Sequence, residues 1–196
     1  MRNDPDLALA TGDALLLVDV QCDFLPGGAL AVAGGDQILP IVNEWIRRFT
    51  AAGLPVYATR DWHPPRHCSF APQGPWPVHC VGGTAGAAFA AELRLPPGAV
   101  VVDKAREPQT DAYSGFSGTG LAATLREAGV RRLFVAGLAT DFCVLRTVED
   151  ALGLGFAVVL IGDGVRAANV RVGDGEAAIA QMQGLGAQVV TTAASG

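Results

Sequence analysis

The chain has 196 residues, of which 50% are hydrophobic, and a formal net charge of -5 at pH 7. This length is typical of one domain and allows a buried core that needs neither disulfides nor a structural metal. The acidic balance argues against a nucleic-acid or anionic-membrane surface, and no apolar run approaches the ~18 residues of a membrane-spanning helix. Because the first 12 residues lack the pattern of an export signal, we expect a cytoplasmic protein whose four cysteines are free thiols.

Strand patterns alternate with helical patterns along the chain. Residues 14–19 form a continuous apolar run that predicts a buried strand, and residues 36–52 follow as a helix with Asp36 as its N-cap. Further strands are predicted over residues 55–60, 99–103, 132–137, 156–161 and 187–191, and further helices over 119–128, 141–152 and 175–185. The alternation predicts a three-layer α/β/α fold with a mainly parallel sheet of about six strands. We expect these strands to be arranged in a Rossmann-like order, although the alternation alone does not determine it. We interpret residues 1–196 as one domain, with residues 1–12 as a poorly ordered N-terminal extension.

A long loop over residues 62–86 interrupts this alternation. It contains all three histidines of the chain, His63, His67 and His79, and two of the three tryptophans. Loops of this length are usually functional or disordered, and the clustered histidines favour a functional loop.

Four chemically distinct side chains follow the first four predicted strands. Asp19 ends the first strand, Asp61 the second and Lys104 the third, while Cys143 begins the helix after the fourth. Ligands of open α/β sheets bind at the carboxyl ends of the strands, so we expect these side chains to meet. Lys104 is also the single lysine among 14 basic residues, which suggests a position that requires a compact ammonium, with a chance remnant as the alternative.

Cys143 is a candidate nucleophile because of its predicted place in the first turn of a helix. The helix dipole and a nearby cation lower the pKa of a thiol there, and free N–H groups at the same turn can stabilise an oxyanion. Asp19 would take the thiol proton and Lys104 would hold the charges in register. The alternative is a buried, inert cysteine, which is the interpretation adopted for the other three.

Asp61 and His63 form an Asp-x-His pair whose side chains point the same way in an extended segment. His79 is the candidate third ligand of a divalent ion, and His67 is the alternative. Three O and N ligands with open positions are typical of a catalytic or ligand-accepting site for Zn²⁺, Mn²⁺ or Fe²⁺. The pair alone is weak evidence because it arises often by chance.

Taken together, these segments resemble the nicotinamidase/pyrazinamidase branch of the isochorismatase-like cysteine hydrolases, over about residues 14–190. The resemblance is carried by Lys104 and by residues 17–30 (LVDVQCDFLPGGAL), 60–70 (RDWHPPRHCSF), 76–86 (WPVHCVGGTAG), 111–116 (DAYSGF) and 137–144 (GLATDFCV). The combination of DWH with WPVHC separates this branch from relatives that work without a metal. Cys22 departs from the usual asparagine and Ala105 from the common glycine.

The resemblance implies hydrolysis of nicotinamide to nicotinate and ammonia through a cysteine thioester, within NAD salvage, with pyrazinamide also accepted. It implies Cys143 as the nucleophile, Asp19 as the general base and Lys104 as the third member of the triad. It also implies a cis peptide bond between Leu138 and Ala139, with the amides of Ala139 and Cys143 as the oxyanion hole.

The resemblance further implies one bound divalent metal ion that holds the pyridine nitrogen. Its ligands would be Asp61, His63 and His79, with zinc as the first candidate and manganese or iron as alternatives. The substrate-binding residues would be Phe24, Trp76, Tyr113 and Ala139.

Other functions remain open at this point. The nearest alternative is another metal-dependent amidase of the same fold that acts on a related small ring amide. A second is a metal-independent relative that acts on a carbamoyl or vinyl-ether substrate, and the ligand motifs DWH and WPVH argue against it. A non-catalytic binding module is a third hypothesis, disfavoured by the complete set of Asp19, Lys104 and Cys143. We expect a small-molecule substrate and neither a nucleic-acid nor a membrane partner, and we leave a homo-oligomer open.

Overall fold

A computed structural model describes residues 8–192, in which six strands form one parallel sheet. The strands are β1 (Asp13–Val18), β2 (Val56–Asp61), β3 (Val100–Lys104), β4 (Arg132–Leu138), β5 (Ala157–Arg166) and β6 (Gln188–Val190). Their order is β3-β2-β1-β4-β5-β6, and each neighbouring pair is parallel. This confirms the predicted fold class and its Rossmann-like strand order.

Helices cover both faces of the sheet. They are α1 (Leu39–Ala51), α2 (Leu121–Glu127), α3 (Leu145–Gly153) and α4 (Asp174–Gly184). Alternate residues of β1 enter opposite cores: Leu15 packs in the cluster that contains α1, and Leu16 packs in the cluster that contains the other three helices. Burial on both faces explains why the strand reads as an unbroken apolar run. Within the described residues, no helix is long and apolar enough to cross a membrane.

Two helices begin at least three residues later than the sequence predicts. Asp36 makes no capping hydrogen bond; it lies in a 3-10 turn, Gly35–Ile38, and α1 starts at Leu39 with Pro40 in its first turn. A proline fits the first turn of a helix because the N–H that it lacks would have no partner there. The predicted helix over 141–152 divides into a π-helical turn, Thr140–Val144, and α3.

Part of the predicted N-terminal extension is described. The carbonyl oxygen of Ala8 accepts a hydrogen bond from Arg132 Nη2 at 2.9 Å, and that of Gly12 accepts one from the N–H of Arg131 at 2.7 Å. Residues 1–7 lie outside the described range, so the prediction for residues 1–12 as a whole stays a prediction.

Gly137 allows β4 to approach β1 closely, just before the segment that carries Cys143. Its φ is +129°, and a β-carbon at this position would collide with the backbone of Val18. We therefore expect Gly137→Ala to lower the free energy of unfolding by ~3 kcal/mol or more, measured by urea denaturation. Gly153→Ala is the matched control, because a β-carbon there meets nothing within 4 Å. Equal midpoints for the two variants would contradict this assignment.

Candidate active site

A cavity of about 180 Å³ opens beside the carboxyl ends of the central strands. Eight of the ten residues predicted for the site line it: Phe24, Asp61, His63, Trp76, His79, Tyr113, Ala139 and Cys143. The other two, Asp19 and Lys104, are 0% and 1% exposed and lie behind the wall next to Cys143. The structure thus brings together the strand-end residues that the sequence places far apart.

Lys104 lies at the centre of a buried polar cluster. Its ammonium nitrogen lies 3.0 Å from Asp19 Oδ2, 2.5 Å from Asp61 Oδ1 and 3.5 Å from Cys143 Sγ. It also donates to the carbonyl oxygen of Ala112 at 2.9 Å. Burial disfavours the ammonium, but the two carboxylates outweigh that cost and raise the pKa of Lys104. The side chain is therefore a charged ammonium that joins three functional groups.

Asp19 is placed to accept a proton. Full burial raises the pKa of Asp19 to about 6, against the opposing effect of Lys104 and with a further contribution from Asp61. Oδ1 accepts a hydrogen bond from the Thr59 hydroxyl at 2.7 Å, whereas the buried Oδ2 forms an ion pair with the ammonium of Lys104 at 3.0 Å. At neutral pH the group is mainly ionised, so Oδ2 is available as a base.

The environment of Cys143 differs from the expectation. Burial raises the pKa of this thiol above its ordinary value, with contributions from Asp19 and Asp61 that oppose the effect of Lys104. The prediction of a lowered pKa is therefore wrong. It assumed an exposed helix terminus, but Cys143 is 6% exposed and lies within the π-helical turn. The thiol needs a neighbouring base to become a nucleophile, and Asp19 is that neighbour.

The peptide bond between Leu138 and Ala139 is cis, as the resemblance implies. It leads directly into the π-helical turn Thr140–Val144 that carries Cys143. The carbonyl oxygen of Ala139 accepts hydrogen bonds from the N–H groups of Phe142 and Val144, each at 3.1 Å. These bonds fix the backbone on both sides of the thiol.

Asp61, His63 and His79 form a compact donor group, with one ligand atom of each within 4.8 Å of the others. The Nδ1 atoms of His63 and His79 face the carbonyl oxygens of Ala105 and Pro77 at 3.2 and 2.8 Å. Both Nε2 atoms are thereby left to act as ligands, the usual arrangement of metal-binding histidines. Burial lowers the pKa of His63 to about 4, so the imidazole is neutral, as a ligand must be. The donor set fits a divalent metal ion.

His67, the alternative third ligand, is engaged elsewhere. Its Nδ1 lies 2.7 Å from the Ser69 hydroxyl and its Nε2 lies 3.2 Å from the carbonyl oxygen of Thr110. The ring stacks on that of His63 with 4.2 Å between centroids. With both nitrogens occupied, His67 supports the loop and the orientation of His63, while His79 completes the donor group.

Gln21 fixes the strand end that carries Asp61. Its side-chain amide donates to the carbonyl oxygens of Asp61 and Ala87 at 2.8 and 2.9 Å, and its Oε1 accepts the N–H of Asp61 at 2.8 Å. The loop after β1 thus fixes the position of the end of β2. From the sequence, Gln21 is recognisable only as a member of the motif over residues 17–30.

Aromatic side chains enclose the cavity. Phe24 packs against His79 with 5.8 Å between ring centroids, and Trp76 Nε1 donates to the Tyr113 hydroxyl at 3.0 Å. Phe142, which sequence analysis missed, contacts both Trp76 and Tyr113, at 5.2 and 5.8 Å between centroids. In the sequence, only its position directly before Cys143 indicated a role at the site. The walls suit a flat, single-ring ligand.

Comparison with known proteins agrees with this geometry. The family model of the isochorismatase domain matches residues 13–194, and the chain belongs to that family. It is 40% identical to the nicotinamidase of Escherichia coli, over 92% of this chain and 95% of that protein. It is also 40% identical to the nicotinamidase/pyrazinamidase of Mycobacterium tuberculosis, over 76% and 84% of the two chains.

Solved structures show the same architecture. The pyrazinamidase of Pyrococcus horikoshii in complex with zinc superposes with a TM-score of 0.88 at 48% identity, covering 92% of this chain and 99% of that one. The PnC1 protein of L. infantum in complex with nicotinate superposes with a TM-score of 0.82 at 39% identity, covering 92% and 93%.

Proposed function

We propose that this chain is a nicotinamidase, an amidohydrolase that converts nicotinamide to nicotinate and ammonia. The observation that carries the proposal is the meeting of Asp19, Lys104 and Cys143 at the wall of a small aromatic cavity, beside a three-ligand donor group. Relatives named nicotinamidase at about 40% identity over most of the chain support it.

The reaction divides into two steps on Cys143. As Sγ attacks the carboxamide carbon, the thiol proton passes to Asp19, and the oxyanion is stabilised by backbone N–H groups of the loop at Ala139 and Cys143. Collapse of the oxyanion breaks the C–N bond, and Asp19 returns the proton to the leaving ammonia. Asp19 then takes a proton from water, whose oxygen attacks the thioester carbon and breaks the C–S bond. The thiolate regains its proton from Asp19, and the acid is released as nicotinate after losing its proton to solvent. Lys104 stabilises the negative charge that alternates between Asp19 and Cys143.

Asp61, His63 and His79 would hold one divalent metal ion. When bound, the ion supplies a Lewis-acid position for a ring nitrogen of the substrate. Zinc is the first candidate because the similar pyrazinamidase of Pyrococcus horikoshii binds zinc, and manganese and iron remain alternatives. The aromatic side chains of Phe24, Trp76 and Tyr113 would orient the ring, so that its carboxamide faces Cys143.

The test is ammonia release from four amides by the metal-loaded protein. Nicotinamide and pyrazinamide are expected to be hydrolysed, whereas benzamide, which lacks a ring nitrogen, is expected to react ~100-fold more slowly because its ring is not anchored. N-carbamoylsarcosine represents the carbamoyl alternative. Turnover of that compound with none of nicotinamide would overturn the proposal.

Several expectations accompany this proposal. A role within NAD salvage follows from the proposed reaction, since nicotinate retains the pyridine ring of the cofactor. The cytoplasmic location, the absence of nucleic-acid and membrane partners and the organisation as one domain stay predictions from the sequence.

A further inference from the structure

Asp141 connects the loop of the nucleophile with a distant part of the chain. Its Oδ1 accepts the backbone N–H of Ala168 and its Oδ2 accepts that of Asn169, both at 2.8 Å. A carboxylate that accepts two N–H groups makes charge-assisted hydrogen bonds, which are stronger than neutral ones. Asp141 lies only two positions before Cys143, so these bonds join the segment at Ala168 to the π-helical turn.

The segment over residues 167–172, here called the outer wall, links β5 with α4. Ala168 and Val170 line the cavity, and Val170 is 66% exposed. Asn169 has a φ of 49°, and its Oδ1 accepts the N–H of Gly175 at 2.9 Å. Asn169 therefore ties the outer wall to α4, and Asp141 ties the stretch that borders the cavity to the turn that carries Cys143.

We propose that Asp141 is a positioning residue that holds the outer wall against the turn of Cys143 and so determines how tightly the cavity confines its substrate. The inference deepens the proposed function and rests on it. Without the carboxylate, two N–H groups of the outer wall lose their acceptor, and Val170 is no longer held over the cavity. Substrate binding should suffer more than the chemistry, because Asp141 does not touch Asp19 or Lys104 through any described hydrogen bond.

The chain provides a matched control in Asp174. Its Oδ2 accepts the N–H of Arg171 at 2.8 Å, so it too caps a backbone group of the outer wall. This bond spans three residues and does not reach the cavity. Asp174→Ala thus removes a comparable bond from the same segment without releasing the side that borders the substrate.

The experiment compares kcat and KM for nicotinamide across these variants of the metal-loaded protein. Asp141→Ala is expected to raise KM about tenfold with kcat within ~3-fold, the loss expected from hydrogen bonds to a charged group. Asp141→Asn keeps one acceptor oxygen and should give an intermediate KM. Asp174→Ala should leave both constants unchanged.

A double-mutant cycle with Val170→Ala tests whether Asp141 changes KM through Val170. If Asp141 acts by placing Val170, the two substitutions together should raise KM no further than Asp141→Ala alone. Fully additive effects on KM would overturn the proposed coupling. So would an Asp141→Ala variant in which kcat and Tm fall while KM is unchanged, because Asp141 would then only support the turn.

Alkylation of Cys143 by N-ethylmaleimide, followed by peptide mass mapping, separates this inference from the proposed function. A released outer wall should increase the rate at Cys143 at least ~5-fold in Asp141→Ala and leave it unchanged in Asp174→Ala. If the wild type fails to hydrolyse nicotinamide, the proposed function fails and the alkylation rates alone decide the role of Asp141. Equal rates in all three proteins would overturn it.

Discussion

Replacement of Cys143 by alanine is expected to reduce ammonia release from nicotinamide by ~10⁴-fold or more, to the background of the assay. The physical reason is that the alanine variant retains the cavity and the charges of Asp19 and Lys104 but has no atom that can form the acyl intermediate. The thiol is small and apolar in its resting form, so the fold should tolerate the change. Circular dichroism and metal content would verify that the protein remains intact.

Cys68→Ala is the control for this experiment. Cys68 is a half-buried free thiol in the histidine-containing loop and does not line the cavity. We expect its replacement to leave kcat within ~2-fold of wild type. An acid-quenched wild-type reaction should carry the nicotinoyl group on the peptide of Cys143. Full activity of Cys143→Ala would contradict the mechanism and favour a nucleophile other than this cysteine.

Substitution of Lys104 tests a catalytic role less selectively than substitution of Cys143 does. It is buried between Asp19 and Asp61, so its removal would leave two carboxylates without their cation. Loss of one partner from a buried ion pair typically costs ~3–5 kcal/mol of stability. A Lys104 variant would therefore lose activity whether the ammonium acts in catalysis or only in folding, whereas Cys143→Ala separates the two.

The ammonium of Lys104 explains how the catalytic triad and the candidate metal site can lie next to each other. Donor atoms of Asp19, Asp61 and Cys143 also lie within 4.8 Å of one another, which on distance alone would suit a cation. The ammonium of Lys104 already contacts all three and supplies the positive charge there. Asp61 thus faces the ammonium with Oδ1, and its Oδ2 lies 3.7 Å from His63 Nε2, on the side of the donor group. The carboxylate of Asp61 therefore lies between the triad and the candidate metal site, with one oxygen towards each.

The sequence predicts the sheet and the meeting of the strand ends because both follow from short-range patterns. Unbroken apolar runs such as residues 14–18 require burial on both faces, and parallel strands then bring their carboxyl ends to one edge. Asp19, Asp61 and Lys104 could be placed by that argument without knowledge of any contact. The order of the strands follows less directly, and the family resemblance supplied it.

Features that depend on packing could not be predicted in the same way. The pKa of Cys143 reflects how completely the loop is enclosed, which no local pattern reports. The contact of Asp141 with Ala168 joins residues 27 positions apart through backbone N–H groups, so neither partner has a recognisable side-chain signature. Phe142 was missed for a related reason, since an aromatic residue in a helical pattern usually indicates core packing.

Removal of the metal ion is expected to abolish turnover of nicotinamide, and readdition of Zn²⁺, Mn²⁺ or Fe²⁺ to restore it. Wild-type protein should contain about one ion per chain by elemental analysis. His79→Ala deletes one of three ligands, so we expect at least a ~100-fold loss of metal affinity, more than is usual when only a hydrogen-bond partner of a ligand is removed. The readouts are metal content and calorimetric affinity, beside ammonia release.

His67→Gln is the matched control for His79→Ala. His67 belongs to the same loop and stacks on His63, but its two nitrogens contact Ser69 and Thr110 instead of the donor group. Glutamine keeps a donor and an acceptor, so we expect this variant to retain its metal and most of its activity. Loss of metal from His67→Gln with retention in His79→Ala would reverse the ligand assignment. Full turnover by a verified metal-free wild type would instead show that Asp61, His63 and His79 form a hydrogen-bonded pocket wall, with the ring held by its aromatic neighbours alone.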